Sequence, residues 1–196
     1  TGSLTINGGV GDDNISITGV SAGFSANLNV NGGDGNDVVT FETAATTLSG
    51  TGGVNVTAET VNVNAALSTP GSDLLIAADN LAITAAINVG TNYAEILEAT
   101  PGTTIGIGTG AGTLRITDAE LDLITAGVID IGFENTGTVT IGGTVSHAGD
   151  ADFLVQTGQG ITFEQFATWT TTSGDLTFSA NRVGATNTGS FRGIFV

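Results

Sequence analysis

GGVGDDNIS at residues 8–16 and GGDGNDVVT at residues 32–40 decide the fold. Each fits the nonapeptide G-G-x-G-x-D-x-U-x, in which U is a large aliphatic residue. Each follows a short alternating segment ending in Asn, LTIN before the first and LNVN before the second. The offset is 24 residues throughout and pairs Leu4 with Leu28, Ile6 with Val30, Asn7 with Asn31 and Asp13 with Asp37. Chance supplies one glycine pattern, but two in register with matching flanks form a repeat. Strand followed by glycine turn, repeated at this length, is one coil of a β-solenoid.

Outward from this pair a shorter period takes over. VNVTAETVNVNAAL begins at Val54 and LLIAADNLAITAAI at Leu74, which pairs Val54 with Leu74, Val61 with Leu81, Val63 with Ile83 and Leu67 with Ile87. AEILEATPGTTIGI fits the same period loosely. LRITDAELDLITAG at Leu114 fits it closely, pairing Ile76 with Ile116, Leu81 with Leu121 and Ile83 with Leu123, and TVTIGGTV follows at Thr138. Alternation sends Val, Leu and Ile inward and Thr, Asn and Asp outward. No unit closes its own core, so stacking must close it. The sequence therefore predicts an all-β chain folded as a parallel β-helix, or β-solenoid, with about eight coils of about 20–24 residues. It is a single segment over 1–196, with long coils at 1–53, regular coils at 54–145 and aromatic-rich terminal coils at 146–196. An antiparallel β-sandwich is the alternative. No stretch makes a convincing helix; AEILEATPG comes nearest and is stopped by Pro101.

Composition narrows the partners. The 196 residues include 31 Gly but only 2 Pro, and charged residues are 11%, well below a typical globular chain. Net charge is −16, with no lysine and three arginines, Arg115, Arg182 and Arg192. No basic patch can form, so nucleic acid is excluded as a partner, and no apolar run suits membrane insertion. Without cysteine, disulfides and zinc–thiolate sites are excluded as well. The chain begins and ends in mid-pattern and reads as a piece of a longer or processed protein.

The GGVGDD and GGDGND turns resemble the RTX family of secreted calcium-binding repeats. The resemblance covers about a tenth of the chain. It implies that Asp13 and Asp37 are carboxylate ligands for Ca2+, with the backbone of Gly9, Gly11, Gly33 and Gly35 nearby. Glycine permits the positive φ that turns successive carbonyls inward, and a hard cation takes six to eight oxygens. RTX nonapeptides run back to back, whereas here single copies recur once per coil, so at most one stacked pair of turns forms. From LRITDAELD to NTGTVTIGGTVS the chain resembles the filamentous haemagglutinin class of bacterial surface proteins. The likeness rests on Leu114, Ile116, Leu121, Leu123, Val128, Ile129, Ile131, Val139 and Ile141, with Gly127, Gly137, Gly142 and Gly143 at corners. It implies a right-handed parallel β-helix in a secreted, extracellular or cell-surface protein that works as an adhesin, stalk or matrix component.

Other chemistry has thinner support. His147 is the only histidine, and TVSHAGDAD places it in a polar corner open to solvent. Asp118, Glu120 and Asp122 alternate along one expected strand and share a face. With Arg115 nearby they would serve a polysaccharide hydrolase or lyase, though outward alternate positions are normally a solvated acidic row. Phe153, Phe163, Phe166, Trp169, Phe178, Phe191 and Phe195 gather late and suggest a wider core; an exposed Trp169 would instead stack on sugar. The expected function is a non-enzymatic structural or adhesive segment of an extracellular bacterial fibre, matrix or surface protein. Calcium stabilises it, and further copies or domains stack end to end. Cell-surface glycans or proteins are its other expected partners, and a polysaccharide-active enzyme is the alternative.

Overall fold

Short runs of Val, Leu, Ile and Thr at alternating positions leave one apolar row on each strand, and a strand of four residues cannot bury that row alone. In the computed structural model, which describes residues 2–20, 23–182 and 193–196, the rows are buried by stacking. The long sheet runs Ser3–Val10, Asn27–Asp34, Val54–Thr57, Leu74–Ala77, Tyr93–Leu97, Val128–Ile131, Asp152–Gln156 and Leu176–Ser179. Every strand pairing among the described residues is parallel, which excludes the antiparallel sandwich. The chain is a β-solenoid of about seven turns, about 35 Å long at one strand spacing per turn.

Two inward columns follow from the register. Leu28, Val54, Leu74, Ala94, Ile129 and Phe153 form one; Val30, Val56, Ile76, Ile96, Ile131 and Val155 form the other, and all are buried. A second sheet stacks Asn14–Ile17, Val38–Phe41, Thr60–Val63 and Asn80–Ile83, and a narrow third one runs from Thr46–Thr47 to Ile124–Thr125. Burying each large aliphatic side chain is worth about 1.5–3 kcal/mol. No helix among the described residues is long and apolar enough to cross a membrane.

The 24-residue register at Leu4 and Leu28 and the 20-residue register at Val54 and Leu74 are as the sequence predicts. The copy at Leu114 is not. Ile76 stacks on Ile96 and then Ile131, while Ile116 pairs with Ile107 in a different sheet. The coil between Ala94 and Ile129 spans 35 residues because it contains a detour. Strand Ile105–Gly108 comes first and pairs with Val139–Gly142 of the next coil. The chain then loops back through TGAGT and runs Leu114–Ile116 parallel to the strand it has just left, against Asn80–Ile83. Glycine makes the loop possible: a Cβ on Gly106 would lie 2.2 Å from the Gly110 carbonyl oxygen, and one on Gly112 2.1 Å from the Gly106 nitrogen.

Two local expectations also change. AEILEATPG is strand through Leu97. The helix is elsewhere, a single turn at Asp118–Leu121. Thr117 caps it, and Glu120 reaches back to the Thr117 N–H at 2.8 Å. This T-x-x-E capping box was legible in the sequence. Among the late aromatics Phe153 is core, and Phe163, Trp169 and Phe178 pack half-buried against it, with edge-on contacts linking Phe153, Trp169, Phe178 and Phe163 at centroid distances of 5.1, 5.6 and 5.1 Å. Trp169 is thus half-buried between two rings, while Phe166 is 87% exposed. Phe191 and Arg192 lie outside the described residues.

Candidate functional sites

The opening corner is built by its glycines. Gly9, Gly11, Gly33 and Gly35 all have positive φ, between 96° and 153°, where other residues are strained. Parallel stacking puts Gly9 over Gly33, with so little room that a Cβ on Gly33 would lie 2.0 Å from the Gly9 carbonyl oxygen. The register also brings Asp13 over Asp37, and continues to Glu59 and Asp79 at the same corner.

This acidic column is bound together by the backbone. The Asp13 N–H donates to Asp37 Oδ1 at 2.8 Å, and the Asp37 N–H donates to Glu59 Oε2 at 2.9 Å. Asp79 Oδ1 accepts the Thr100 N–H at 3.0 Å and the Thr103 hydroxyl at 2.9 Å. Asp37, Glu59 and Asp79 therefore each satisfy a corner N–H of a neighbouring coil, a charge-assisted bond of the stronger kind. The same use recurs beside this corner and away from it. Asp12 accepts from the Asn36 N–H, Asp73 from Tyr93 and Asp152 from Asp175. Backbone donors thus stand where a chain with more Lys and Arg would place cations.

Two oxygens are left over. Asp37 is fully buried, and Oδ2 of both Asp13 and Asp37 is buried without a hydrogen-bond partner. Asp37 Oδ2 lies where a side chain on Gly32 would begin, 2.5 Å from that Cβ position, and Asp13 Oδ2 lies 2.8 Å from the Cβ position of Gly8. Two orphaned anionic oxygens among glycine carbonyls suit a hard cation chemically. Side chains alone do not complete the shell, since no group of three or more His, Asp or Glu side chains among the described residues is arranged around an ion. Backbone carbonyls and water would supply the rest.

The acids expected in one row are separated by the helical turn and face different partners. Asp118 Oδ1 accepts the Ser146 N–H at 2.6 Å. Glu120 Oε1 accepts the Ile83 N–H at 3.0 Å, filling a rung that Leu114–Ile116 leaves unbonded. Asp122 Oδ1 alone faces a pocket, 3.8 Å from His147 Nδ1. The polar-corner expectation for His147 fails, because it closes strand Thr144–His147 on the inward parity set by Val145 and is 6% exposed. Phe153 meets its ring edge-on at 5.3 Å.

A further pair was invisible to sequence reasoning. Glu95 and Asp130 are 35 residues apart but lie on adjacent rungs of the long sheet, facing outward. Burial, with the Asp130 and Asp73 charges adding to it, pushes the Glu95 carboxyl above the usual carboxylate range. Burial also raises Asp130, although Gln156, which donates to both its oxygens at 2.7 and 2.9 Å, and the Arg182 charge pull the other way. The guanidinium of Arg182 lies 4.7 Å over the Phe133 ring. Compared with known protein families, curated proteins and solved structures, the chain matches none.

Proposed function

We propose that this chain is a structural and adhesive segment of an extracellular bacterial fibre, matrix or cell-surface protein, stabilised at its opening turns by calcium. One observation carries the reading: its acidic side chains serve as staples between coils. Asp37, Glu59, Asp79, Asp118 and Glu120 all accept backbone N–H groups of other coils. A carboxylate held this way stiffens a stack and is poorly placed for proton transfer. Calcium would be held by Asp13 Oδ2 and Asp37 Oδ2, with carbonyls of the Gly8–Gly9 and Gly32–Gly33 turns. It would neutralise two like charges about one strand spacing apart.

End-to-end stacking of further copies belongs to the same proposal. The outer edge of Ser3–Val10 is unpaired among the described residues, with Leu4 and Val10 exposed, and Ile194 and Phe195 are exposed at the other end. An open strand edge is a template for another strand. Solution scattering over a concentration series, with calcium and with chelator, tests the reading. Rods of constant cross-section that lengthen with concentration are expected. A monomer that keeps one length throughout and degrades a polysaccharide would refute it.

The second reading, a polysaccharide-active enzyme, is favoured by one observation. Glu95 and Asp130 form a neighbouring pair with raised affinity for protons, as a general acid requires. On this reading the chemistry belongs to the long sheet and not to Asp118, Glu120 and Asp122. Activity on acidic or neutral glycans that disappears in both Glu95→Gln and Asp130→Asn would establish it.

A further inference from the structure

Outside the acidic corner, one cavity combines a buried polar atom without a partner and an open wall. It holds about 260 Å3 and is bounded by Asp122, Ile124, Thr125, His147, Asp150 and small residues of the 148–151 turn. That is just below the usual range for small-molecule sites, so it suits one small ligand and not a polymer segment. The His147 side chain is 5% exposed, and its Nδ1 is buried with no hydrogen-bond partner. Burying such an atom unsatisfied is costly, so a donor that reaches it is held.

From this arrangement we infer that the pocket binds a small primary ammonium group, no larger than that of a single amino sugar, between His147 Nδ1 and the Asp122 carboxylate. Charge selects the class. The ionisable groups on the walls are two carboxylates and one imidazole, with no arginine among them. With the ring proton on Nε2, Nδ1 presents a lone pair, and Asp122 Oδ1 presents a second acceptor 3.8 Å away. A donor nitrogen about 2.8 Å from each acceptor would see them about 85° apart, within easy reach of the tetrahedral spread of ammonium protons. A transition metal needs more protein ligands than this pair, and among the described residues no group of three or more His, Asp or Glu side chains is placed to hold one. The count of available ligands therefore favours the ammonium over a metal.

Specificity would come from the remaining walls. Thr125 and Asp150 are polar and exposed, and Asp150 Oδ1 already accepts the Ser173 hydroxyl at 2.5 Å, so it adds charge at the rim without closing the pocket. Ala126, Ala148, Gly149 and Ala151 keep the cavity open. A Cβ on Gly149 would lie 2.8 Å from His147 Nε2, so this position needs glycine for the ring to stay where it is. Asp122 is half exposed and is the side that gives way as a ligand enters.

The experiment uses the only histidine as its own reporter. Imidazole signals of His147 are followed by NMR at constant pH during titration with methylammonium, glucosamine and N-acetylglucosamine. Methylammonium and glucosamine should give saturable shifts, and N-acetylglucosamine, which lacks the charge, should give none. Asp122→Asn should weaken the glucosamine response at least tenfold while the dispersed backbone spectrum persists. Two results overturn the inference: no shift from either amine at saturating concentration, or an equal shift from N-acetylglucosamine. A fold-disrupting effect of Asp122→Asn does not affect the wild-type titration, which decides alone.

Discussion

Asp37→Asn is the most informative single change, because its effect should reverse sign with calcium. Asparagine keeps an oxygen for the Asp13 N–H, which Asp37 Oδ1 now accepts at 2.8 Å. It removes one of two like charges in register at the corner, a repulsion worth about 0.2–1 kcal/mol between directly opposed side chains. In chelator the variant should therefore match or exceed the wild type. With calcium the balance turns. Calcium present at about 100 times its Kd adds about 2.7 kcal/mol to the form that binds it. For a chain of this length that raises Tm by about 5–10 °C. The variant, lacking one of the two orphaned anionic oxygens, should lose most of this gain. Circular dichroism melts with calcium and with chelator give the global reading. Coils of a solenoid are coupled mainly to their neighbours, so amide hydrogen exchange at Leu28, Val30 and Val39 should give the clearer local one. Exchange there should slow with calcium in the wild type only, while Ile129 and Ile131 are unchanged. If wild type and variant respond to calcium alike, or neither responds, the orphaned oxygens hold no ion and the corner is a glycine turn alone.

Three further outcomes are expected. Gly33→Ala places a methyl group 2.0 Å from the Gly9 carbonyl at a φ of +113°. It should cost at least about 2 kcal/mol and fray the first two coils first, as hydrogen exchange will show. Glu120→Ala removes both the cap partner of Thr117 and the acceptor of the Ile83 N–H. A loss of about 1–3 kcal/mol in denaturant unfolding is expected, with the Ile83 amide exchanging faster than Val61 or Val63. For Glu95 the sign follows from a raised folded pKa. The folded state holds the proton more tightly, so the Glu95 contribution to stability is greatest below the ordinary carboxylate range and falls as pH rises from there through the raised value. Glu95→Gln should flatten that fall and leave the protein more stable at neutral pH by on the order of 0.5 kcal/mol, whereas an unchanged pH profile would contradict the upward shift that burial and the neighbouring acids give Glu95.

Which acids would meet across coils was hidden for a physical reason. Glu95 and Asp130 become neighbours only because the intervening coil takes 35 residues. That length depends on two competing segments, Ile105–Gly108 and Leu114–Ile116, with the same inward alternation. Either satisfies the apolar pattern on the rung above Asn80–Ile83. In the fold the TGAGT loop returns the chain so that Leu114–Ile116 takes that rung, and Glu120 closes on the Ile83 N–H, a contact 37 residues away in sequence. In LRITDAELD, two local codes overlap. Alternation of Asp118, Glu120 and Asp122 suggests a strand, while T-x-x-E suggests a helix start, and the helix prevails with Leu121 buried beneath it. His147 was misread for the opposite reason. Its polar neighbours suggested a corner, but its parity with Val145 already placed it inward.

By itself the sequence determined the parallel stack, its register from Leu4 to Leu28 and from Val54 to Leu74, and the glycine geometry of the opening corner. A side-chain period of two makes a one-residue slip expose a whole apolar row, and positive φ at repeated positions restricts them to glycine, so both features are written locally. Tertiary structure alone decided which carboxylates close on backbone N–H groups, which oxygens of Asp13 and Asp37 remain unpaired, and that His147 faces Asp122. Those outcomes depend on distances between coils, and such distances are set by the lengths of corners and detours that no local pattern encodes.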